Sequence, residues 1–122
     1  VVTAELNEKY RRQFSFDVFS YEKGMSVPSG ANIKWFDYDR LPKTMEIRSR
    51  RTGDYILLKD GGRKTVKSFM TDAKIPAASR GKIPVLSVGS LVLWIVGYRM
   101  GESFRVTDDT RRIFEIKYDP AE

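Results

Sequence analysis

Only one stretch of this sequence repeats its apolar residues with the period of a helix. Val66, Phe69, Met70 and Ala73 fall at i, i+3, i+4 and i+7, while Lys64, Lys67, Ser68 and Asp72 lie off that face. Thr65 is placed to cap the start of this helix, and Pro76 to stop it. Elsewhere the apolar runs are short, often alternate, and are cut by Gly, Pro, Asn and Asp. Phe14, Phe16 and Val18 alternate with Ser15 and Asp17, and Ile33 to Phe36 reads as a second strand. Further strands are expected at Thr44–Arg50, Tyr55–Leu58, Pro84–Val88, Leu91–Gly97, Phe104–Val106 and Ile113–Tyr118, with a hairpin turn at Gly89-Ser90. Ala77–Lys82 reads as one more helical turn, and residues 1–12 as a short helix or the tail of a linker. No βαβα alternation is present, which excludes a doubly wound sheet. The fold class expected is mainly β with α (α+β): a small domain of about eight short strands, with one main helix packed on it.

At 122 residues the chain is sized for one domain, able to bury roughly 65% of the surface its unfolded form exposes. The division expected is a linker with lead-in strands over 1–44, a folded core over 45–118 and a tail over 119–122, the whole forming one structural unit. The chain opens Val1-Val2 without a Met and is expected to be a piece of a longer polypeptide. Its longest apolar run, Leu91 to Val96, has six residues, far short of the ~20 that a membrane-spanning helix needs. Cysteine and histidine are both absent. That removes disulfides, thiolate or imidazole metal sites, and Ser-His-Asp or Cys-His catalysis. No catalytic residue and no metal ligand is assigned, and a binding or accessory role leads.

Charge is unevenly distributed. Residues 1–47 balance to zero, residues 48–105 carry twelve basic and four acidic side chains for +8, and residues 106–122 carry −2. Such a concentration is the footprint either of a polyanion site or of a basic face kept for solubility. Arg48 and Arg50 share one face of the expected strand, roughly 7 Å apart, with Arg51 beside them. Guanidinium forks at that spacing suit bidentate phosphate contact, and the other reading is a protected edge strand. Gly61-Gly62-Arg63-Lys64-Thr65 is read as a glycine pair leading into a helix N-terminus, where free N–H groups and Lys67 would hold an anion. The G-x-x-x-x-G-K-[ST] spacing of a nucleotide P-loop is absent. Arg80 and Lys82 stand between Pro76 and Pro84 in a stiffened loop, and Arg99 and Arg105 flank Gly101. Trp94 belongs to the core. Tyr55 and Tyr98 either pack at the core edge or stack on a base or sugar. Asp54 is expected to fix a turn or to orient an arginine.

The ordered set Arg48-Ser49-Arg50-Arg51-Thr52-Gly53-Asp54, Gly61-Gly62-Arg63-Lys64 with Lys67, Lys74-Ile75-Pro76, Arg80 and Ile83-Pro84-Val85-Leu86 resembles the C-terminal domain of bacterial tRNA(Ile)-lysidine synthetase. Leu93-Trp94-Ile95-Val96-Gly97, Phe104-Arg105-Val106 and, upstream, Phe36-Asp37-Tyr38-Asp39-Arg40-Leu41 fit the same pattern. The resemblance implies a β-sandwich layered with helix, similar to a domain of the β subunit of phenylalanyl-tRNA synthetase. It also implies that this chain is an accessory part of a cytoplasmic ligase that joins lysine to the wobble cytidine of tRNA(Ile) with ATP and Mg. The Ser-Gly-Gly-x-Asp-Ser motif of the catalytic N-terminal domain is absent here, so no cofactor is expected in this chain. The partners implied are tRNA(Ile), held around its acceptor stem, and the catalytic domain of the same polypeptide, with no membrane. Arg48, Arg50, Arg51, Arg63, Lys64, Lys67, Arg80 and Lys82 are the expected contacts to the sugar-phosphate backbone. The competing reading is a structural or oligomerisation module, a homodimer pairing through Tyr55, Tyr98 and Met100, with an incidental basic surface.

Overall fold

Period-two segments build two sheets in the computed structural model, which describes residues 3–6, 10 and 12–120. The elements run β1 (Thr3–Leu6), β2 (Phe14–Ser20), β3 (Ile33–Asp37), a 3-10 turn (Tyr38–Arg40), β4 (Thr44–Ser49), β5 (Tyr55–Leu57) and β6 (Arg63–Thr65). They continue with α1 (Val66–Asp72), α2 (Ala77–Arg80), β7 (Pro84–Val88), β8 (Leu91–Ile95), β9 (Arg99–Met100) and β10 (Arg112–Tyr118). Seven strands form one sheet in the order β1-β4-β7-β8-β5-β6, with β9 also on β8; β2-β10-β3 form the other. None of the helices in the described residues is long and apolar enough to cross a membrane.

Alternation decides which side chains fill which layer. Met45 and Ile47 of β4, Leu86 of β7 and Leu93 and Trp94 of β8 meet Phe14, Phe36, Phe114 and Ile116 of the small sheet in one buried cluster between the sheets. Trp94 meets Phe14 edge-on, ring centroids 6.4 Å apart. Two consecutive residues of β8 can face this core because the β7–β8 register shifts between Leu86 and Ser87, leaving Leu93 unpaired at a bulge. The opposite face of the large sheet carries Ile56, Val85, Val92 and Ile95, which close over Val66, Met70 and Ile75 of the helical segment. The molecule therefore stacks as small sheet, large sheet and helix.

The mainly β class and the single main helix expected from the pattern are present, as is the sandwich that the resemblance implies. Thr65 caps α1, its Oγ1 accepting from the Ser68 N–H at 3.0 Å. Three strands escaped the reading, and one was misplaced. Thr3–Leu6 is a strand running parallel to β4, not a helix, because β4 offers it a free sheet edge that local propensity cannot reveal. The remainder of that expectation, residues 1–2, 7–9 and 11, lies outside the described residues. Phe104–Val106 is not a strand: Phe104 is held at φ 57°, which breaks extension, and Arg99–Met100 takes the place on β8. Arg63–Thr65, expected to lead from the glycine pair into the helix N-terminus, pairs antiparallel with β5.

The aspartate-containing turn after β3 is pinned to β10. The Asp37 carboxylate is buried and accepts from Thr110 Oγ1 at 2.9 Å. Arg112 lies over the Tyr38 ring and donates from Nε to Asp39 Oδ1 at 3.1 Å. Hydrogen bonding from Arg112 holds the Asp39 carboxyl below its ordinary value of 3.8. A carboxyl whose folded value lies below its unfolded one stabilises the fold above the unfolded value, and that contribution fades as pH falls through the folded value. Asp39→Asn should accordingly flatten the stability profile below about pH 4; denaturant midpoints that keep the wild-type acid slope would exclude this pair as a contributor. Leu93→Ala, emptying the middle of the sandwich, should cost about 3 kcal/mol in urea unfolding, and an unchanged midpoint would contradict the packing described.

Candidate nucleic-acid interface

The alternation that turns Met45 and Ile47 into the sandwich turns Glu46 and Arg48 toward the helix side of the large sheet. Arg48 is not a surface cation there: the residue is 6% exposed. Its Nη1 and Nη2 grip Asp54 Oδ2 and Oδ1 at 2.7 and 2.9 Å. Nη2 also donates to the Gly89 carbonyl at 2.8 Å, Nη1 to the Ser49 carbonyl at 3.1 Å, and Nε to Glu46 Oε1 at 3.2 Å. All five guanidinium N–H groups thus have acceptors. Hydrogen bonding to Asp54 raises the arginine above its ordinary value, against the opposing effect of burial, with the nearby Asp54 and Glu46 charges adding to the rise. Asp54, 3% exposed, also accepts the Arg51 backbone N–H at 2.8 Å and donates its own N–H to the Arg51 carbonyl, closing a turn through Gly53 at φ 92°. Asp54 does fix a turn and orient an arginine, as its position implied; the arginine is Arg48. The expectation that Arg48 and Arg50 project side by side is corrected, since β4 ends at Ser49 and Arg48 turns inward to a carboxylate.

Held by that ion pair, the segment after β4 forms one wall of a cleft of about 380 Å³ lined by Arg50, Arg51, Thr52, Gly53, Asp54, Thr65 and Lys67. Asp54 is the sole carboxylate in its lining, and Arg48 already occupies it. Lys67 is exposed and Arg50 half-exposed, and neither has an ion-pair partner among the described residues. Arg51 makes a 3.6 Å surface contact with Glu46, of the kind that contributes little. Ser49 Oγ donates to the Gly81 carbonyl at 2.9 Å, which brings the loop bearing exposed Lys82 to the end of β4, where Arg50 begins. Thr52 and Thr65 add hydroxyls that the charge pattern did not point to; their signal is adjacency to Arg51 and to the helix cap.

The remaining cations do not join this cleft. Arg80 folds back on α1, donating from Nε to the Ile75 carbonyl at 2.9 Å and from Nη1 to Thr71 Oγ1 at 3.3 Å. Lys64 is paired with Asp72 at 2.5 Å. Arg63, its neighbour on β6, projects from the opposite face of the strand and lies 4.3 Å above the Tyr55 ring centroid, so Tyr55 is covered rather than open to stacking. The anion nest expected at Gly61-Gly62 is overturned. That pair closes the β5–β6 hairpin, with the Gly61 N–H on the Leu58 carbonyl and the Gly62 N–H on Asp60 Oδ1. Those amides are already spent. Trp94 is core, as expected, whereas Tyr98 is 53% exposed and does not pack at the core edge.

The family model described as the TilS substrate C-terminal domain matches residues 45–116, more than half of the chain. The chain belongs to that family. The matched range holds β4 to β10 apart from Thr44 at the start of β4 and the last two residues of β10, and with them the whole cleft. The chain is 40% identical over 90 residues to the tRNA(Ile)-lysidine synthase of Caldanaerobacter subterraneus subsp. tengcongensis, covering 73% of this chain and 19% of that protein. It is 32% identical over 103 residues to the synthase of Clostridium acetobutylicum, covering 82% of this chain and 22% of the relative. The chain thus spans about a fifth of the length of these curated relatives. A solved structure described as the TilS C-terminal domain superposes with a TM-score of 0.72 at 23% identity, covering 90% of this chain and 86% of that one, which establishes the shared fold.

Removing one partner of a buried, fully hydrogen-bonded ion pair strands the other charge. Asp54→Ala should destabilise this TilS-type domain by about 3–5 kcal/mol in urea, and replacing both members with Arg48→Met and Asp54→Leu should recover most of that loss. A single variant as stable as the parent would show that the pair does not hold the cleft wall.

Proposed function

We propose that the chain is the tRNA-holding accessory domain of a tRNA(Ile)-lysidine synthase. The observation that carries this reading is the cleft itself: Arg50, Arg51 and Lys67 face one depression whose single carboxylate is consumed by Arg48. Positive charge left without an internal partner is the arrangement that a phosphate backbone completes. Arg50, Arg51, Lys67 and Lys82 contact the sugar-phosphate backbone of the acceptor stem. Arg63 and Arg80 add long-range attraction, Lys64 is offset by its pairing with Asp72, and Arg48 positions the loop from within. Contacts of this kind set where a duplex lies and not which bases it carries.

Family membership supports the rest. The catalytic part of the longer protein ligates lysine to the wobble cytidine of tRNA(Ile) in the cytoplasm, using ATP with Mg, neither of which this domain needs to bind. Its contribution is to hold the tRNA body, so that the anticodon is presented repeatedly to the catalytic part at high effective concentration.

Neutralising about four phosphates should give a log–log salt dependence of binding with a slope of about −3 to −4. Fluorescence anisotropy of a labelled tRNA(Ile) transcript with the 122-residue chain, across a series of salt concentrations, measures it. A slope near zero would sink the proposal. The double variant Arg50→Ala with Lys67→Ala should weaken binding at least about tenfold and bring the slope closer to zero by about two.

A further inference from the structure

A second cavity, of about 460 Å³, opens between the free edge of β3 and the turn joining β8 to β9. Its floor is apolar, with Trp35 and Met100, and its rim carries Lys34, Arg99 and Arg105 together with the exposed ring of Tyr98. No carboxylate lines it. Arg105 is paired with Glu102 at 3.1 Å, but Lys34 and Arg99 have no ion-pair partner among the described residues. Burial, and then the charge of Arg105, push the Lys34 ammonium below the ordinary lysine value of 10.5. Tyr98 is 53% exposed at the tip of a turn made possible by Gly97 at φ 83°.

We propose that this pocket takes one unpaired nucleotide of an RNA strand, its base stacked on Tyr98 and its phosphate held among Lys34, Arg99 and Arg105. The inference rests on the reading that RNA is what the chain holds, and adds a contact of different chemistry. An anion alone would not call for a flat, solvent-facing aromatic ring beside the cations, and a duplex hides the base faces that such a ring needs. A stacking platform next to a phosphate site selects a single strand. The Val96 N–H donates to the Pro84 carbonyl, and Ser49 Oγ to that of Gly81, so the β8–β9 turn, the start of β7 and the end of β4 lie at one end of the large sheet. A duplex gripped at Arg50 would have its unpaired end directed across that end, past Lys82 and toward Tyr98.

The test compares a blunt RNA hairpin with the same hairpin carrying a single-stranded tail of about four nucleotides at its 3′ or 5′ end, by anisotropy with the 122-residue chain. One of the tails should tighten binding about tenfold, and Tyr98→Ala or Arg99→Ala should each remove that gain while blunt-hairpin affinity is governed by the cleft. Circular dichroism of the variants checks that these exposed positions leave the fold intact. No gain from either tail, or a gain that survives both substitutions, overturns the pocket and leaves the cleft standing. Failure of the blunt hairpin to bind in a salt-dependent way sinks the cleft instead, and a short free oligonucleotide, sensitive or insensitive to Tyr98→Ala, then decides the pocket by itself. A poly-glutamate peptide that displaces the tail and depends on Arg99 but not on Tyr98 would assign the pocket to an acidic chain and overturn the nucleotide.

Discussion

The buried bidentate pair of Arg48 and Asp54 ties β4 to the start of β5, two strands that do not pair with each other. Arg48 stands on β4, Asp54 immediately precedes β5, and the Gly89 carbonyl that Arg48 also holds belongs to the β7–β8 turn. β7 and β8 lie between β4 and β5 in the sheet, so this one guanidinium spans the crossover from outside the hydrogen-bond ladder. Its desolvation is offset only because every N–H finds an acceptor. The segment carrying Arg50 and Arg51 is set by that anchor, so a buried residue determines where the accessible cations stand.

Charge density along the sequence does not become a continuous cationic track. The basic stretch is sorted by which cations meet a carboxylate or a ring on folding: Arg48 is internalised, Lys64 is neutralised by Asp72, and Arg63 is placed on the far face above Tyr55. What remains is a compact group around the β4–β5 turn with Lys82 beside it. A further group, on the rim beside Tyr98, joins Arg99 and Arg105, which flank Gly101, to Lys34, whose place in the sequence gave no hint of convergence.

Much of the architecture was legible in advance, for identifiable reasons. Helical periodicity confined to Val66–Ala73, a threonine ahead of it and prolines behind it are local signals, and local physics decides them. The Gly89-Ser90 hairpin was readable in the same way. What was hidden depended on partners distant in the chain. Thr3–Leu6 becomes a strand because β4 has an edge to offer, and the glycine pair at 61–62 becomes a hairpin turn because β5 pairs with Arg63–Thr65. Alternation correctly assigned Arg48 a face of its strand. It could not say that the face is roofed, because the roof is built by Asp54 and Gly89. Lys34 was passed over although its placement between Ile33 and Trp35, on a strand, marks a lysine with a partly covered stem.

The small sheet has its last strand in the middle: β10 pairs Tyr118 with Phe14 on one side and Phe114 with Phe36 on the other. β2 and β3 make no ladder with each other, so neither can find a mate until β10, at Arg112–Tyr118, has been synthesised. During translation their aromatic faces wait on the ribosome with half of the sandwich unbuilt, while β4 to β8 and the helix can already close around Met70 and Val85. Assembly should therefore be polarised, with one layer early and the other gated by the final segment, and the waiting interval is when this chain is most open to chaperones and to aggregation.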